Sequence, residues 1–342
     1  MWGVKTMKRY LLPENGTFYK ANLHSHSTIS DGALTPGQMK EVYQKLGYSI
    51  IAFTDHDVLV PHQDLTDESF LALNGYEMAV FEEGDHDRYH RKTCHFCLIA
   101  LEPDNLMQIC TNHKIFDYDD VKKNEGLFLY DKNAKSYEDN YSPECVCDMM
   151  RQGREHGFFV TYNHPTWSGE GYEQYSRYKH MHAMEICNYT CKLEGHDEYN
   201  PRVYDDLLRS GKRIFCIATD DNHNGGGSLR DSGGAWTMIK ADRLEYRTVT
   251  KALENGHFYA SNGPEIQELY VEDGALHVST SDAACIRFTF GDRRAVVFHA
   301  EAGKPLTTAV CKLVPWAGYV RVTVEDTQGY WANSNAYFLD EL

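Results

Sequence analysis

Residues 22–32 read NLHSHSTISDG and place two histidines and one aspartate where an apolar strand ends. His24 and His26 are two positions apart, so their side chains lie on the same face of a strand. Asp31 follows five residues later, just before a glycine. A His-x-His pair alone is a weak signal for metal binding, so the rest of the chain has to show whether these side chains have partners.

Length, composition and charge narrow the class of protein. The chain has 342 residues, enough for one large domain and a small one, and its 42% hydrophobic content is typical of a globular protein. A formal net charge of −16 argues against nucleic acid as a partner, short nucleotides aside, and against an anionic membrane. The N-terminus has no apolar signal region and no apolar run reaches 18 residues, which favours a cytoplasmic protein.

Ten cysteines are scattered along a chain too large to need disulfides, so we expect reduced thiols. The pairs Cys94/Cys97 and Cys145/Cys147 raise the alternative of a zinc knuckle. Residues 93–101, TCHFCLIAL, have the pattern of a buried strand, in which positions three apart face opposite sides. The strand interpretation is therefore favoured over a cysteine-bound zinc ion.

From residue 18 to about 262, short apolar runs alternate with helical patterns, which predicts a mostly parallel sheet. Thr35-Pro36 has the pattern of a helix start, with Gln38 completing a capping box and Gly47 at the end. Further helices are predicted at about 144–156, 201–210 and 247–255. Polar clusters follow the strands, and active sites of α/β barrels collect at those ends.

Two regions depart from this alternation. Residues 103–143 are polar, rich in tyrosine and longer than a usual connection, so they form either a lid over the site or a surface insertion. Residues 265–342 show period-two alternation and an Asp-Gly hairpin signal, which predicts a small antiparallel β-sandwich. The predicted domains are thus 1–262 and 265–342.

Histidines and acids recur at the predicted strand ends. The set comprises His24, His26, Asp31, His56, Glu77, His95, His164, Asp221 and His223. Six imidazoles and three carboxylates suit Zn²⁺, Mn²⁺ or Fe²⁺, whereas an all-oxygen shell would suit Mg²⁺ or Ca²⁺. Nine side chains are too many for one tetrahedral ion, so we expect two or three divalent ions with a shared carboxylate.

Six motifs follow one another over residues 18–262, namely HSHSTISDG, TDHD, the glutamate of GYEM, His95, NHP and the D-x-H of DDNH. Together they resemble the motifs of the PHP (polymerase and histidinol phosphatase) family. That resemblance implies an α/β fold, a distorted TIM-like (β/α)7 barrel with a three-metal site at the strand ends. The further patterns EICN, DDNH and FYASNGP, followed by a sandwich, are similar to a subgroup that includes a carbaryl-type carbamate hydrolase.

The resemblance also implies which residues hold each ion. His24, His26, Glu77 and Asp221 would hold the first ion. Glu77 would bridge to a second ion completed by His95 and His164. Asp31, His56 and His223 would hold the third. The adjacent Asp220 leaves one position of slippage open within DDNH.

Ions of this kind turn a bridging water into a hydroxide nucleophile near neutral pH. The leading hypothesis is therefore a metal-dependent phosphoesterase that acts on a small phosphorylated molecule, with Asp57 or Asp220 protonating the leaving oxygen. A carbamate, amide or ester hydrolase with the same metal centre is the alternative. A barrel without activity that serves as a binding module is the second alternative.

Cationic and aromatic residues near the motifs are candidate substrate contacts. Arg88 and Arg91 precede His95, and Arg230 follows the glycine-rich NGGG. Guanidinium groups of this kind pair well with phosphate, although most arginines lie on the solvated surface. Trp167, in NHPTW, would line an apolar pocket for a carbonyl substrate. The oligomeric state stays open.

Overall fold

A computed structural model describes residues 8–84, 90–114, 122–124, 126–138 and 140–342. The helices of this part are short and are α1 Pro36–Lys45, α2 Pro143–Glu155, α3 Tyr172–Tyr175, α4 Tyr189–Leu193, α5 Pro201–Arg209 and α6 Tyr246–Glu254, with 3₁₀ turns at Gln63–Leu65 and Gly225–Gly227. The helices predicted at 144–156, 201–210 and 247–255 are confirmed by α2, α5 and α6.

Twenty strands account for most of the regular secondary structure in the described residues. They are β1 Arg9–Tyr10, β2 Thr17–Asn22, β3 Ile50–Phe53, β4 Leu71–Phe81, β5 Thr93–Ala100, β6 Met107–Gln108, β7 Leu129–Tyr130, β8 Phe158–Tyr162, β9 Ala183–Asn188, β10 Phe215–Thr219, β11 Trp236–Ala241, β12 Phe258–Ser261, β13 Ile266–Glu272, β14 Ala275–Ala283, β15 Cys285–Phe290, β16 Ala295–His299, β17 Leu306–Lys312, β18 Tyr319–Glu325, β19 Trp331–Ser334 and β20 Tyr337–Phe338. The fold is therefore a mixed α/β fold dominated by sheet.

The start of α1 shows how local sequence sets the element. The Thr35 side chain accepts a hydrogen bond from the Gln38 backbone N–H, and the Gln38 side chain accepts one from the Thr35 N–H at 2.9 Å. Pro36 occupies the first turn, where its missing N–H costs nothing. Gly47 follows the helix with φ 81°, a conformation that glycine adopts without strain. The predicted capping box is confirmed.

One large sheet contains the strands that bear the predicted ligands. Its strand order runs β10-β9-β8-β5-β4-β3-β2 and continues through β11, β12, β19, β18, β15 and β16. Four of the six ladders in the first seven strands are parallel, but β5 is antiparallel to both β4 and β8. The mostly parallel character is thus found in this run, with β5 as the exception.

None of the sheets in the described residues closes into a continuous barrel ladder. The two ends of the seven-strand run nevertheless meet beyond β2 and β10. Ser25 and Asn222 form a single parallel bridge, supported by the hydrogen bonds from His26 N to Asn222 O (3.1 Å) and from Asp221 N to His24 O (3.0 Å). The chain that leaves β2 therefore lies beside the chain that leaves β10.

The C-terminal region has antiparallel ladders throughout its described strands. β13, β14 and β17 form a four-stranded sheet with the N-terminal β1, whereas β15, β16, β18 and β19 extend the large sheet. Leu269 and Val278 of the first sheet and Phe288 and Val322 of the second belong to one buried apolar cluster. The Asp273-Gly274 turn joins β13 to β14 with φ values of 52° and 71°, as the hairpin signal predicts.

The ten cysteines are all free thiols, as expected. Cys94 and Cys97 lie in the buried strand β5, which confirms the strand interpretation of TCHFCLIAL. In the part of the chain that the structure describes, no helix is long and apolar enough to cross a membrane.

A buried ion pair connects α5 to the C-terminal strands. Arg321 of β18 donates from Nε to Asp205 Oδ1 and from Nη2 to Asp205 Oδ2, both at 2.8 Å. Tyr319 OH adds a third bond to Asp205 Oδ1 at 2.8 Å. The Arg321 and Asp205 side chains are 5% and 11% exposed, so removal of one partner would leave a buried charge without compensation.

We therefore expect Arg321→Met to lower the free energy of unfolding by about 3–5 kcal/mol. The matched control is Arg202→Met on α5, the helix that bears Asp205, because Arg202 pairs with Asp206 while its side chain is 81% exposed. An exposed pair of this kind contributes at most about 1 kcal/mol. Urea denaturation of both variants measures the difference, and equal midpoints would contradict the assignment of Arg321 as a structural anchor.

Candidate metal centre

The predicted ligands lie on or just after six strands of the large sheet. His24, His26 and Asp31 follow β2, and His56 follows β3. Glu77 is within β4 and His95 within β5, while the remaining ligands follow the carboxyl ends of β8 and β10. The full predicted set, His24, His26, Asp31, His56, Glu77, His95, His164, Asp221 and His223, falls into groups whose ligand atoms lie within 4.8 Å of one another. The structure thus brings all nine side chains together.

Glu77 lies at the centre of this cluster with its side chain 1% exposed. Its Oε1 is 3.2 Å from each of three imidazole nitrogens, which are His24 Nε2, His95 Nδ1 and His164 Nε2. Its Oε2 is 3.1 Å from His56 Nδ1 and 3.5 Å from His26 Nε2. One buried carboxylate is therefore shared by five histidines.

In the predicted first group, the ligand atoms of His24, His26 and Glu77 lie within 4.8 Å of one another, and Asp221 lies close to both histidines. Asp221 Oδ1 is 3.2 Å from His24 Nε2 and 3.0 Å from His26 Nε2. Ligand atoms about 2.0–2.2 Å from a tetrahedral ion lie about 3.3–3.5 Å apart, which is close to these separations. Glu77 with His95 and His164 forms a second group at 3.2 Å separations.

The third group is more open. Asp31 Oδ2 lies 3.7 Å from His56 Nε2, and Asp31 Oδ1 lies 3.5 Å from His223 Nε2. The structure adds His26 to this group, with its Nδ1 3.9 Å from Asp31 Oδ1. The Asp31, His56 and His223 side chains are 53%, 28% and 31% exposed, whereas the ligand side chains of the other two groups are at most 7% exposed.

Several buried polar atoms of the cluster have no hydrogen-bond partner among the described residues. They are His26 Nδ1, both ring nitrogens of His95, and Asp221 Oδ1. A buried polar atom left unsatisfied costs about 1–3 kcal/mol, so a native fold rarely gathers several in one place. A bound cation would satisfy them, and the mixed imidazole and carboxylate donors suit Zn²⁺, Mn²⁺ or Fe²⁺. The residues present therefore fit divalent metal ions.

Electrostatics keep the carboxylates of the cluster charged. Burial alone would raise the pKa of Glu77, but the nearby His24, His95 and His164 side chains lower this pKa well below its usual range. Burial acts in the same way on Asp221, and His24, His26 and His223 lower its pKa far below the ordinary value. Ionised carboxylates are the form that binds a cation.

Glu185 is an important residue that sequence reasoning missed. This residue of β9 is fully buried, and its Oε1 lies 2.7 Å from His24 Nδ1 and accepts a hydrogen bond from Thr219 Oγ1 at 2.7 Å. Its Oε2 accepts from His164 N at 2.9 Å and from Asn188 Nδ2 at 3.1 Å. A carboxylate on Nδ1 fixes the ring and leaves Nε2 facing Glu77 and Asp221. The acidic residue in EICN was the available signal.

The side-chain amides of two asparagines add to this support. Asn163 Nδ2 donates to Glu77 Oε1 at 3.0 Å, and Asn188 Nδ2 donates to Asp221 Oδ2 at 2.9 Å. Both asparagines are fully buried. They orient the two central carboxylates, and neither was singled out from the sequence.

Asp55 organises the loop that carries Asp31. Its carboxylate accepts hydrogen bonds from the backbone N–H groups of Ser27 (2.7 Å) and Ser30 (3.1 Å) and from both serine hydroxyls at 2.8 Å. Gly32 closes the loop, because a Cβ there would lie 2.3 Å from the His26 carbonyl oxygen. The glycine after Asp31 is thus required by the close approach of two backbones.

Unusual backbone conformations cluster at the same place. Asp57, His164 and Asp221 have φ values of 60°, 24° and 53°, in the region that residues other than glycine seldom adopt. Conformations of this kind cost about 1–3 kcal/mol and persist where the surroundings impose them. The strain is located at two predicted ligands and beside a third, His56.

The structure places Asp220 away from the ligand atoms. Its fully buried carboxylate accepts backbone N–H groups of Gly233 (2.7 Å), Gly234 (2.9 Å) and Ala235 (3.1 Å), and the hydroxyl of Tyr43 (3.0 Å). Burial raises the pKa of Asp220 to about 6, although these bonds favour the charged form. Asp220 therefore ties the loop after β10 to α1, and this arrangement does not support a proton transfer to substrate.

The other predicted site residues vary in their placement. Asp57 follows His56, and its backbone N–H donates to Glu77 O at 2.8 Å. Trp167 lies against the second group, with ring centroids 5.3 Å from His95 and 5.0 Å from His164. Arg91 donates to Glu82 O at 3.4 Å and lies 5.9 Å from the Phe81 ring.

The remaining two arginines give no support for a contact with substrate. Arg230 is exposed in the loop after the glycine-rich turn, where its backbone N–H donates to Ser228 Oγ at 3.3 Å. Arg88 lies outside the described residues.

No protein-family profile and no curated protein matches the sequence. Three solved structures are similar to it. A two-domain protein from Bacteroides vulgatus that contains a predicted PHP-like metal-dependent phosphoesterase covers 98% of this chain and 99% of its own, at 16% identity and a TM-score of 0.42. A proposed metal-dependent phosphoesterase from Bifidobacterium adolescentis covers 62% and 89%, at 17% identity and a TM-score of 0.38.

The third is an amidohydrolase from Chromobacterium violaceum with bound sulfate and no metal, which covers 59% of this chain and 87% of its own at 16% identity and a TM-score of 0.35.

Glu185→Gln should weaken metal binding about 10- to 100-fold, because an amide no longer holds His24 as a charged acceptor does. Glu173→Gln on the exposed surface of α3 is the matched control. Metal titration of the apoprotein by calorimetry measures the change. Wild-type affinity in a folded Glu185→Gln chain would show that His24 is oriented without this carboxylate.

Proposed function

We propose that the chain is a metal-dependent hydrolase, and that it acts as a phosphoesterase on a small phosphorylated molecule. The single observation that carries this proposal is the convergence of six imidazoles and three carboxylates, one of which is the buried Glu77 at the centre. A structural ion needs four ligands in a closed shell. Nine donors that share one carboxylate, with one group partly exposed, instead suit a hydrolytic centre with two or three ions.

Each ion would be held by the residues that the family resemblance implies. His24, His26, Glu77 and Asp221 would hold one ion, and Glu77 would also serve a second ion with His95 and His164. Asp31, His56 and His223 would hold the third, and their exposure leaves this group accessible to a substrate. Divalent ions bound there would supply Lewis acidity for a phosphoryl oxygen and would lower the pKa of a water that attacks it.

The chain's own residues would hold this arrangement rigid during the reaction. Glu185, Asn163 and Asn188 keep the ligand side chains oriented without rearrangement. Preorganised groups of this kind stabilise developing charge at little reorganisation cost. The proton for the leaving oxygen would come from a group at the exposed side, where Asp57 follows His56.

The architecture that we propose for this site is the seven-strand barrel of the first domain, 1–262, with 265–342 as the second domain. The run β2-β3-β4-β5-β8-β9-β10 and the bridge between Ser25 and Asn222 support closure of the strands around the cluster. The pairing of β12 with β19 continues one sheet across the boundary, so the second domain would brace the first.

Purified protein reconstituted with Mn²⁺ should hydrolyse generic phosphomonoesters or phosphodiesters, and a chelator should abolish the activity. His24→Ala and Asp221→Ala should each lower kcat/KM more than about 100-fold, beyond the 10- to 100-fold effect of residues that merely support a ligand. His299→Ala, an exposed histidine on β16, is the matched control. A chain that holds its metals but turns over no phosphate ester would contradict the phosphoesterase proposal.

The position of Trp167 favours a carbamate or ester as a second candidate substrate. Its partly exposed indole lies beside the second ligand group, within 5.3 Å of the His95 ring centroid. A carbonyl substrate with an aryl group needs an apolar contact there and fewer cations than a phosphate does. The two described arginines predicted to bind phosphate do not contact the ligand cluster through any described hydrogen bond, which fits this alternative.

Trp167→Ala separates these two candidates. If the substrate is a 1-naphthyl carbamate, loss of the indole should lower kcat/KM about 10-fold, because an aromatic contact contributes about 1–3 kcal/mol. Turnover of a small alkyl phosphate should change little. Trp316→Ala is the control, since Trp316 is 84% exposed. Unchanged naphthyl carbamate kinetics in Trp167→Ala would remove the indole from the substrate site.

A further inference from the structure

The third ligand group, Asp31, His56 and His223, differs from the other two in how its ligands are held. Glu77 and His95 lie within long buried strands, whereas Asp31 and His56 lie in loops beyond the ends of β2 and β3. The ligand atoms of the third group are also farther apart, at 3.5–3.7 Å for the pairs with Asp31. Loops on a surface need an external support to hold a fixed geometry.

Gln108, which lies in the region 103–143, supplies that support at His56. Gln108 of β6 is 3% exposed, and both ends of its amide bind the loop after His56. Its Oε1 accepts from Leu59 N at 2.9 Å, and its Nε2 donates to Asp57 O at 2.6 Å. Asp57 N meanwhile donates to Glu77 O at 2.8 Å. The residue after His56 is therefore held between the central ligand and Gln108.

The same segment binds the loop that bears Asp31. Asn124 Nδ2 donates to Ile29 O at 2.7 Å, and Lys123 Nζ donates to Ser30 O at 2.9 Å. Ile29 and Ser30 are the two residues that precede Asp31. Asn124 is 4% exposed, so its amide is committed to a buried contact rather than to solvent.

An apolar cluster joins the two contacts. Phe128 of the segment is buried with Val58 and Val60 of the His56 loop, and Ile29 of the Asp31 loop packs against this cluster together with Tyr130. Burial of these side chains brings the two ligand loops and the segment together as one packed unit. Two of the three ligand loops of the third group are thus contacted by Gln108, Asn124 and Phe128.

We propose that Gln108, Lys123 and Asn124 are positioning residues that assemble the third metal group, and that their contacts serve that ion alone. This inference rests on the proposed metal centre, but it concerns binding of an ion rather than hydrolysis. The first two groups are held instead by Glu185, Asn163 and Asn188, which lie outside the segment.

The test measures metal stoichiometry and affinity in Gln108→Ala combined with Asn124→Ala. Apoprotein is titrated with Mn²⁺, and bound metal is counted by equilibrium dialysis and elemental analysis. Wild type should bind three ions, whereas the double variant should keep two and bind the weakest ion at least about 10-fold less tightly. Asn105→Ala is the matched control, because its amide also binds backbone carbonyls, those of His156 and Gly157, away from the cluster.

Two further variants keep the test decisive if the double variant unfolds. Lys123→Ala removes an exposed side chain, and Gln108→Glu keeps the acceptor for Leu59 N but loses the donor to Asp57 O. Both should weaken the third ion selectively. Thermal unfolding of Lys123→Ala should stay near that of wild type because its side chain is exposed, whereas Gln108→Glu buries a charge and should unfold at a lower temperature.

Three results would overturn the inference. These are wild-type affinity for the third ion in folded variants, equal loss of all ions, or fewer than three ions bound by wild type. Hydrolysis is not the readout of this experiment. A chain that binds three ions but hydrolyses nothing would contradict the proposed function alone, and selective loss of one ion would still support the positioning role.

Discussion

The structure depends on one buried carboxylate, Glu77, surrounded by five imidazoles. A charge this deep is costly unless opposite charges or hydrogen bonds compensate it. The Glu77 carboxylate oxygens lie 3.1–3.5 Å from imidazole nitrogens and 3.0 Å from the side-chain amide nitrogen of Asn163. The histidines come from strand ends far apart in sequence, so the sheet must bring those ends together before the carboxylate is stabilised. The fold is therefore needed to form the site, and the contacts within the site in turn compensate the buried charge of the fold.

Much of the local structure follows from the sequence because the responsible interactions are local. Thr35, Pro36 and Gln38 define a helix start within four residues, and the capping box forms as the pattern predicts. The Asp273-Gly274 turn likewise adopts the left-handed conformations that its residue types favour. The antiparallel direction of β5 was not predictable in this way, because it depends on how the chain returns between β4 and β5 rather than on the residues of the strand.

The same distinction applies to the site. All nine ligand candidates could be found from sequence, since each is a histidine or an acid in a motif that lies within or just after a predicted strand. Glu185, Asn163 and Asn188 could not, because an asparagine or glutamate in an apolar strand has many roles and its partner is defined only in three dimensions. The start of α5 illustrates the same limit. The helix begins at Pro201, but the Asn200 side chain bonds to Thr166 and Glu198 instead of capping it.

The gradient of burial across the cluster indicates where a substrate would reach it. The side chains of the first two groups are nearly closed to solvent, and Asp31 is the ligand with the greatest exposure, at 53%. A substrate larger than water would thus meet the third group before the others. The backbone that carries the ligands differs as well, because Glu77 and His95 lie within strands, whereas Asp31 lies in a loop nine residues beyond the end of β2. The side of the centre that is open to substrate is therefore also the side where Gln108, Asn124 and Phe128 pack against the ligand loops, in addition to the hydrogen bonds that Asp55 makes to the Asp31 loop.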